Sequence, residues 1–156
     1  MFPYDQETIV ALATPPGVGA LAVLRISGES LVPLYKQLTN TSPKNRFAAF
    51  CKLHHPETGE ILDEVVATYF KSPKSFTGED MIEISCHGGE AVQKIVIAAI
   101  LDSGARLAKP GEFSFRAYMN GKMDLLQAEA VASLIASKST YSTKVGLNHL
   151  DGTVSQ

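Results

Sequence analysis

Four charged residues stand in apolar or turn contexts. Arg25 lies between Leu24 and Ile26, Glu83 between Ile82 and Ile84, Arg116 follows Phe115, and Lys122 follows the Asn120-Gly121 turn. A carboxylate fixed at a cleft can accept two parallel hydrogen bonds from a fused heterocycle that presents a ring N–H beside an amino group. Arginine and lysine suit the carboxylate end of such a ligand. A mid-strand acid between apolar residues also fits a solvent-facing position, and residue types alone leave both readings of Glu83 open.

Other chemistries are less well served. Cys51, His54, His55, Cys86 and His87 are all potential zinc ligands, but Cys86 and His87 are adjacent and point to opposite sides of an extended segment, so one of them at most joins the first three. A cysteine nucleophile needs a base and an orienting group, and only the neighbouring His87 offers one. Gly121-Lys122 is followed by Met123 and lacks the upstream glycine, so there is no P-loop for GTP. Gly17-Val18-Gly19 precedes a strand rather than a helix, which fits a tight turn and not a dinucleotide loop.

The elements that must position these residues follow from periodicity. Glu7–Ala13 and Gly19–Ile26 read as strands separated by Thr14-Pro15-Pro16-Gly17, since proline cannot donate to a ladder. Ser27 is placed to cap a helix over about 29–38. Phe47–His54 and Glu64–Phe70 are expected to form an antiparallel hairpin around His55–Gly59. Thr77–Asp80 reads as a polar turn, and Met81–Cys86 alternates, with Ile82, Ile84 and Cys86 on one face and Glu83 on the other. Gly88-Gly89 breaks that strand. A helix over Glu90–Ser103 follows, with Val92, Ile95, Val96, Ala99 and Ile100 as its apolar side and Gly104 past its end. A short strand within Ala105–Ala108, a helix over Glu112–Met119 and a longer one from Asp124 to about Ser137 complete the ordered part; Ser139–Gln156 is polar and weakly helical. The last apolar stripe, Leu125, Ala128, Val131, Leu134 and Ile135, has little following chain to pack on, so a partner or a longer protein is implied. The order predicts an α+β domain over residues 1–119 and the start of an all-α piece over 120–156.

With 45% hydrophobic and 19% charged residues and a net charge of −2, the 156-residue chain has an ordinary globular composition and no overall basic footprint for nucleic acid. No apolar run reaches the length of a membrane span, Met1–Asp5 does not start a signal peptide, and two cysteines make no disulfide framework. A reduced, cytoplasmic protein is the expectation. Arg106, Lys109, Arg116 and Lys122 make a modest basic segment, but the overall charge is acidic, which ranks RNA binding below ligand binding.

A run of ordered motifs carries a family resemblance: Ala13-Thr14-Pro15-Pro16-Gly17, Leu24-Arg25-Ile26-Ser27-Gly28, Ser75-Phe76-Thr77-Gly78-Glu79-Asp80, His87-Gly88-Gly89, Pro110-Gly111-Glu112-Phe113-Ser114 and Lys122-Met123-Asp124-Leu125. Together they resemble the N-terminal region of the bacterial tRNA-modification GTPases of the MnmE (TrmE) family. The resemblance implies a tetrahydrofolate-binding fold like that of the glycine cleavage aminomethyltransferase, a homodimer, and 5-formyl-tetrahydrofolate held by Arg25, Glu83 and Lys122. In the full-length relatives a G domain using GTP, potassium and magnesium acts with the flavoprotein MnmG on the wobble uridine of tRNA. The present chain is expected to comprise the first domain and the opening helices of the second, without the G domain, and so not to hydrolyse GTP alone. Met123 stands where the family usually has leucine, a change of similar volume. A stand-alone one-carbon transferase is the other alternative, but no nucleophile or base set is evident, and fold does not imply function.

Overall fold

A computed structural model describes residues 5–15, 17, 19–131 and 133–134. The chain divides into two compact units, Met1–Ala108 and Lys109–Gln156.

The first unit is built on a six-stranded mixed sheet. Its strands are β1 (Ile9–Leu12), β2 (Leu21–Gly28), β3 (Ala49–His54), β4 (Ile61–Phe70), β5 (Asp80–His87) and β6 (Arg106–Leu107), in spatial order β3-β4-β5-β2-β1-β6. All neighbours are antiparallel except β1 and β6. The expected hairpin is present as β3–β4. Helices α1 (Val32–Thr39) and α2 (Glu90–Asp102) follow β2 and β5.

Alternation decides the layering. Val10, Ala22, Leu24, Ile26, Leu53, Val65, Ala67, Ile82, Ile84 and Cys86 form one continuous core with Leu34, Tyr35 and Leu38 of α1 and Val96 and Ile100 of α2. Each fully buried leucine or isoleucine contributes about 1.5–3 kcal/mol. A one-residue slip in β2 or β5 would put that whole set on the opposite face, so this burial also fixes the register. On that opposite face Ala11, Val23, Arg25, Val66, Thr68, Glu83 and Ser85 are all half-buried. The α+β class is therefore as expected.

Two local expectations are corrected, and a third gains a burial that the sequence did not show. Ser27 caps no helix: it is the penultimate residue of β2, fully buried, with its hydroxyl on Thr77 (2.7 Å) and Glu79 (2.8 Å). The α1 N-cap is Leu31, and Pro33 in the first turn tolerates the missing donor. Ile95 is half exposed, while Gln93 takes the buried place on α2, its amide donating to the carbonyls of Gly17 (3.1 Å) and Gly88 (2.8 Å). The Thr77–Asp80 run is polar, as expected, yet Thr77, Glu79 and Asp80 are all buried. Gly104 does follow α2 with a φ of +105°, a conformation suited to glycine.

In the second unit α3 (Glu112–Met119) begins after Gly111 and ends at Asn120-Gly121. Residues 125–131 and 133–134 are helical. That helix opens with a reciprocal cap, in which the Gln127 N–H donates to Asp124 Oδ1 (2.7 Å) and the Asp124 N–H donates to Gln127 Oε1 (3.0 Å). Leu125 and Leu134 of its apolar stripe are exposed. The expected continuation through Ile135 to Ser137, the weak helicity of Ser139–Gln156, and Pro16 and Val18 of the stop after β1 lie outside the described residues.

Candidate functional site

Arg25 and Glu83 are directly opposite each other on the two central strands, β2 and β5. Both side chains stand on the face turned away from α1 and α2. The Arg25 Nε donates to Glu83 Oε2 at 3.3 Å, and the side chains keep 43% and 35% of their exposure. Glu83 is thus neither a solvated surface acid nor a sealed one. Such a cross-strand pair contributes about 0.2–1 kcal/mol, too little to explain two charges at the centre of a sheet as a stability device. Among the described residues Glu83 Oε1 has no hydrogen-bond partner, so the carboxylate is held by one oxygen and can accept with the other. Thr68 lies beside Glu83 on β4 and Ala11 beside Arg25 on β1, giving a row that is small and polar around the charges.

The structure brings together two of the three residues expected to hold a ligand. The third, Lys122, belongs to the second unit, where it is exposed just after α3 and its N–H donates to the Ala117 carbonyl (2.8 Å). Arg116, grouped with them by its sequence context, is fully buried on α3 and pairs with Glu112 at 3.4 Å, one helical turn earlier.

What sequence reasoning missed is the network that fixes the start of β5. Asp80 accepts three hydrogen bonds: from the Leu31 N–H (3.1 Å), the Tyr69 hydroxyl (2.7 Å) and the Ser72 N–H (2.9 Å). One carboxylate therefore ties α1, β4 and β5 together. Burial, then the hydrogen bond to Asp80 and its charge, push the Tyr69 hydroxyl well above its ordinary pKa. Ser27 on β2 is bound to Glu79, so the two strands that carry Arg25 and Glu83 are pinned two and four residues away. Nothing local in the Thr77–Asp80 run signals burial; its buried partners Tyr69, Leu31 and Ser27 are 11 to 52 residues distant.

The histidines and cysteines serve other contacts. His87 clamps Asp63 twice, its N–H donating to Oδ2 (2.9 Å) and its Nδ1 meeting Oδ1 (2.7 Å). Burial opposes the Asp63 charge, but these bonds and the Glu64 N–H hold its carboxyl below the usual range. His55 Nδ1 accepts the N–H groups of Glu57 (3.1 Å) and Thr58 (3.2 Å), which leaves Nε2 to donate to Asp102 (3.0 Å). Cys86 is fully buried, and desolvation raises the pKa of both its thiol and that of Cys51. Among the described residues no three His, Cys, Asp or Glu side chains converge as a metal site. A cleft of about 240 Å³ lies at the N-terminal end of α1, lined by Thr8, Ser30, Leu34, Gln37 and Ser103 among others, and it has no charged side chain in its wall.

Comparison with known proteins now adds a family. Residues 8–122 match the model of the GTP-binding protein TrmE N-terminus. The chain is 47% identical over 156 residues to the tRNA modification GTPase MnmE of Fervidobacterium nodosum, covering 97% of this chain and 34% of that protein. It is 53% identical over 149 residues to the MnmE of Thermotoga petrophila, covering 94% and 33%, and 46% identical over 154 residues to that of Bdellovibrio bacteriovorus, covering 97% and 32%. The chain thus spans about a third of the length of these relatives. Among the described residues no helix is long and apolar enough to cross a membrane.

Proposed function

This chain belongs to the TrmE N-terminal family, and from that membership we propose that it is the folate-binding and dimerisation part of a tRNA-modification GTPase. The observation that carries the reading is the Arg25–Glu83 pair at the half-open centre of the sheet. Its donor set fits a reduced folate. The free Glu83 oxygen and its partner oxygen suit the paired N–H and amino donors of a pterin edge. The Arg25 guanidinium aims the carboxylate, and its remaining donors suit an anionic part of the same molecule. Lys122 is the third contact, by its place in the Lys122-Met123-Asp124-Leu125 motif.

The fold in this reading is that of the aminomethyltransferase-like folate domains, extending over 1–119, with the helical domain beginning at 120. The end of the family match at residue 122 supports that boundary, whereas the compact units divide earlier, after Ala108. When bound, 5-formyl-tetrahydrofolate supplies a one-carbon unit. The residues of this chain bind and orient it, and none of them is assigned a covalent step. GTP, potassium and magnesium belong to the G domain of the full-length protein, and MnmG and tRNA are partners of that whole assembly in the cytoplasm. The exposed Leu125 and Leu134 support packing of the last helix on a second copy or on further chain.

Titration of the chain with 5-formyl-tetrahydrofolate in a calorimeter tests the reading. Saturable binding at one site per protomer is expected. Absence of any heat at millimolar ligand, with the sheet intact by circular dichroism, would overturn it.

A further inference from the structure

The net charge of −2 conceals a strongly uneven distribution. No aspartate or glutamate occurs between Glu29 and Glu57, nor between Glu64 and Glu79, yet these two stretches hold six of the 14 lysines and arginines. The fold joins the ends of these stretches. Asn45 bridges Tyr69, the Arg46 N–H donates to the Tyr69 carbonyl (2.8 Å), and the Lys71 N–H donates to Asn45 Oδ1 (2.9 Å). Lys44, Arg46, Lys71 and Lys74 are therefore gathered where the chain enters β3 and leaves β4, at one end of the sheet. All four are exposed, and none forms an ion pair among the described residues.

Aromatic rings are interleaved with these cations. Phe47 and Phe76 are 54% and 44% exposed. The Lys44 ammonium sits 5.1 Å from the centre of the Phe47 ring, and the Arg46 guanidinium 5.6 Å from that of Phe70. The loop is also pre-ordered: Ser72 is bonded to buried Asp80 (2.9 Å), and the Ser75 hydroxyl to the Glu79 carbonyl. In contrast, the basic segment picked out by sequence is largely neutralised, with Arg106 held by Asp5 (3.1 Å) and Glu7 (2.9 Å) and Arg116 by Glu112.

We propose that this patch, Lys44, Arg46, Phe47, Lys71, Lys74 and Phe76, binds an unpaired stretch of RNA. The cations take successive phosphates and the two exposed rings stack bases, the combination that single-stranded nucleic acid requires. An anionic lipid surface would use the same charges without stacking on the rings, and the vesicle arm of the test below separates it from RNA. The proposal rests on the tRNA-modification reading for its choice of RNA as the natural polyanion, but not on folate binding.

The test is fluorescence anisotropy of a labelled oligouridylate with the 156-residue chain across a salt series. Four phosphate contacts give a log–log salt slope of about −3, at about 0.7 per contact on a single strand. Replacing the four cations by alanine should abolish the slope, and Phe47→Ala or Phe76→Ala should each weaken binding at least fivefold with little change in slope. Parent and quadruple variant are also titrated with 5-formyl-tetrahydrofolate, which the variant should bind as the parent does. RNA binding that survives the quadruple substitution overturns the proposal, as does a parent that binds anionic vesicles as tightly as RNA. A parent that binds RNA through the patch but no folate would overturn the folate reading alone.

Discussion

Replacing Asp80 by alanine removes the acceptor that joins three segments below the candidate site. The Leu31 N–H and the Tyr69 hydroxyl both reach Oδ2, and the Ser72 N–H reaches Oδ1. Ser72 is exposed, so its donor can turn to water at little cost. Leu31 and Tyr69 are only 1% and 4% exposed, and their donors cannot. An orphaned buried donor costs about 1–3 kcal/mol, so the pair sets a loss of about 2–6 kcal/mol. That is a large fraction of the 5–15 kcal/mol or so that holds a typical domain folded. Asp80→Asn is the informative control. With its amide oxygen at the Oδ2 position it still serves both buried donors, and its NH₂ meets the solvent-compensated Ser72 N–H, so the loss should be about 1 kcal/mol. Tyr69→Phe, which deletes one donor and leaves Asp80 two, should cost a similar amount. Urea unfolding followed by far-UV circular dichroism ranks the three. An alanine variant within about 1 kcal/mol of the parent, or an asparagine variant as damaged as the alanine one, would refute the acceptor-count reasoning.

Further outcomes follow from other sites. A Cβ on Gly88 would lie 1.9 Å from the Gly19 carbonyl oxygen, a backbone atom that cannot swing away, so Gly88→Ala should destabilise by at least 1–3 kcal/mol or so in the same unfolding assay. Asp63 has a folded pKa below its unfolded value; its contribution is present above the unfolded pKa of about 3.9 and is lost as pH falls through the folded one. Asp63→Asn should accordingly flatten the stability curve below about pH 4. Cys86, buried and with a raised thiol pKa, should resist iodoacetamide at neutral pH until the chain is unfolded, which mass spectrometry reads directly. Light scattering should give a dimer mass at micromolar concentration; a monomer would contradict the dimerisation proposed for the domain.

The sequence disclosed whatever depends on local period. Ile82, Ile84 and Cys86 alternate with Glu83 because one face of β5 is fully buried and the other only half-buried around Glu83, and that pattern needs no knowledge of the partner strands. The α3 bounds were legible from Gly111 and Asn120-Gly121 for a similar reason. Long-range pairing was not. Arg25 and Glu83 were each conspicuous, but they are 58 residues apart and nothing in either segment announces the register that makes them neighbours. Ser27 shows how a local rule can mislead. A serine ahead of a helical stretch has the chemistry of a cap, yet its hydroxyl is taken by Thr77 and Glu79 in the core, where leaving it unsatisfied would cost more than an uncapped helix end. The basic surface at Lys44 and Lys71 escaped notice because two separate stretches, each only mildly basic, are joined by the ladder at Tyr69.

The most direct measurement of the proposed role is a calorimetric comparison of the parent with Glu83→Gln, using 5-formyl-tetrahydrofolate. The substitution keeps the side-chain size and exchanges one acceptor for a donor aimed at a donor. The Arg25 pair that it weakens is half exposed and contributes about 1 kcal/mol or less, so the fold should be retained. Loss of one charge-assisted hydrogen bond, about 1.5–3 kcal/mol, predicts affinity weakened at least tenfold with circular dichroism and oligomer mass unchanged. Parent-like folate affinity in the folded Glu83→Gln variant would contradict the assignment of Glu83 as the pterin anchor.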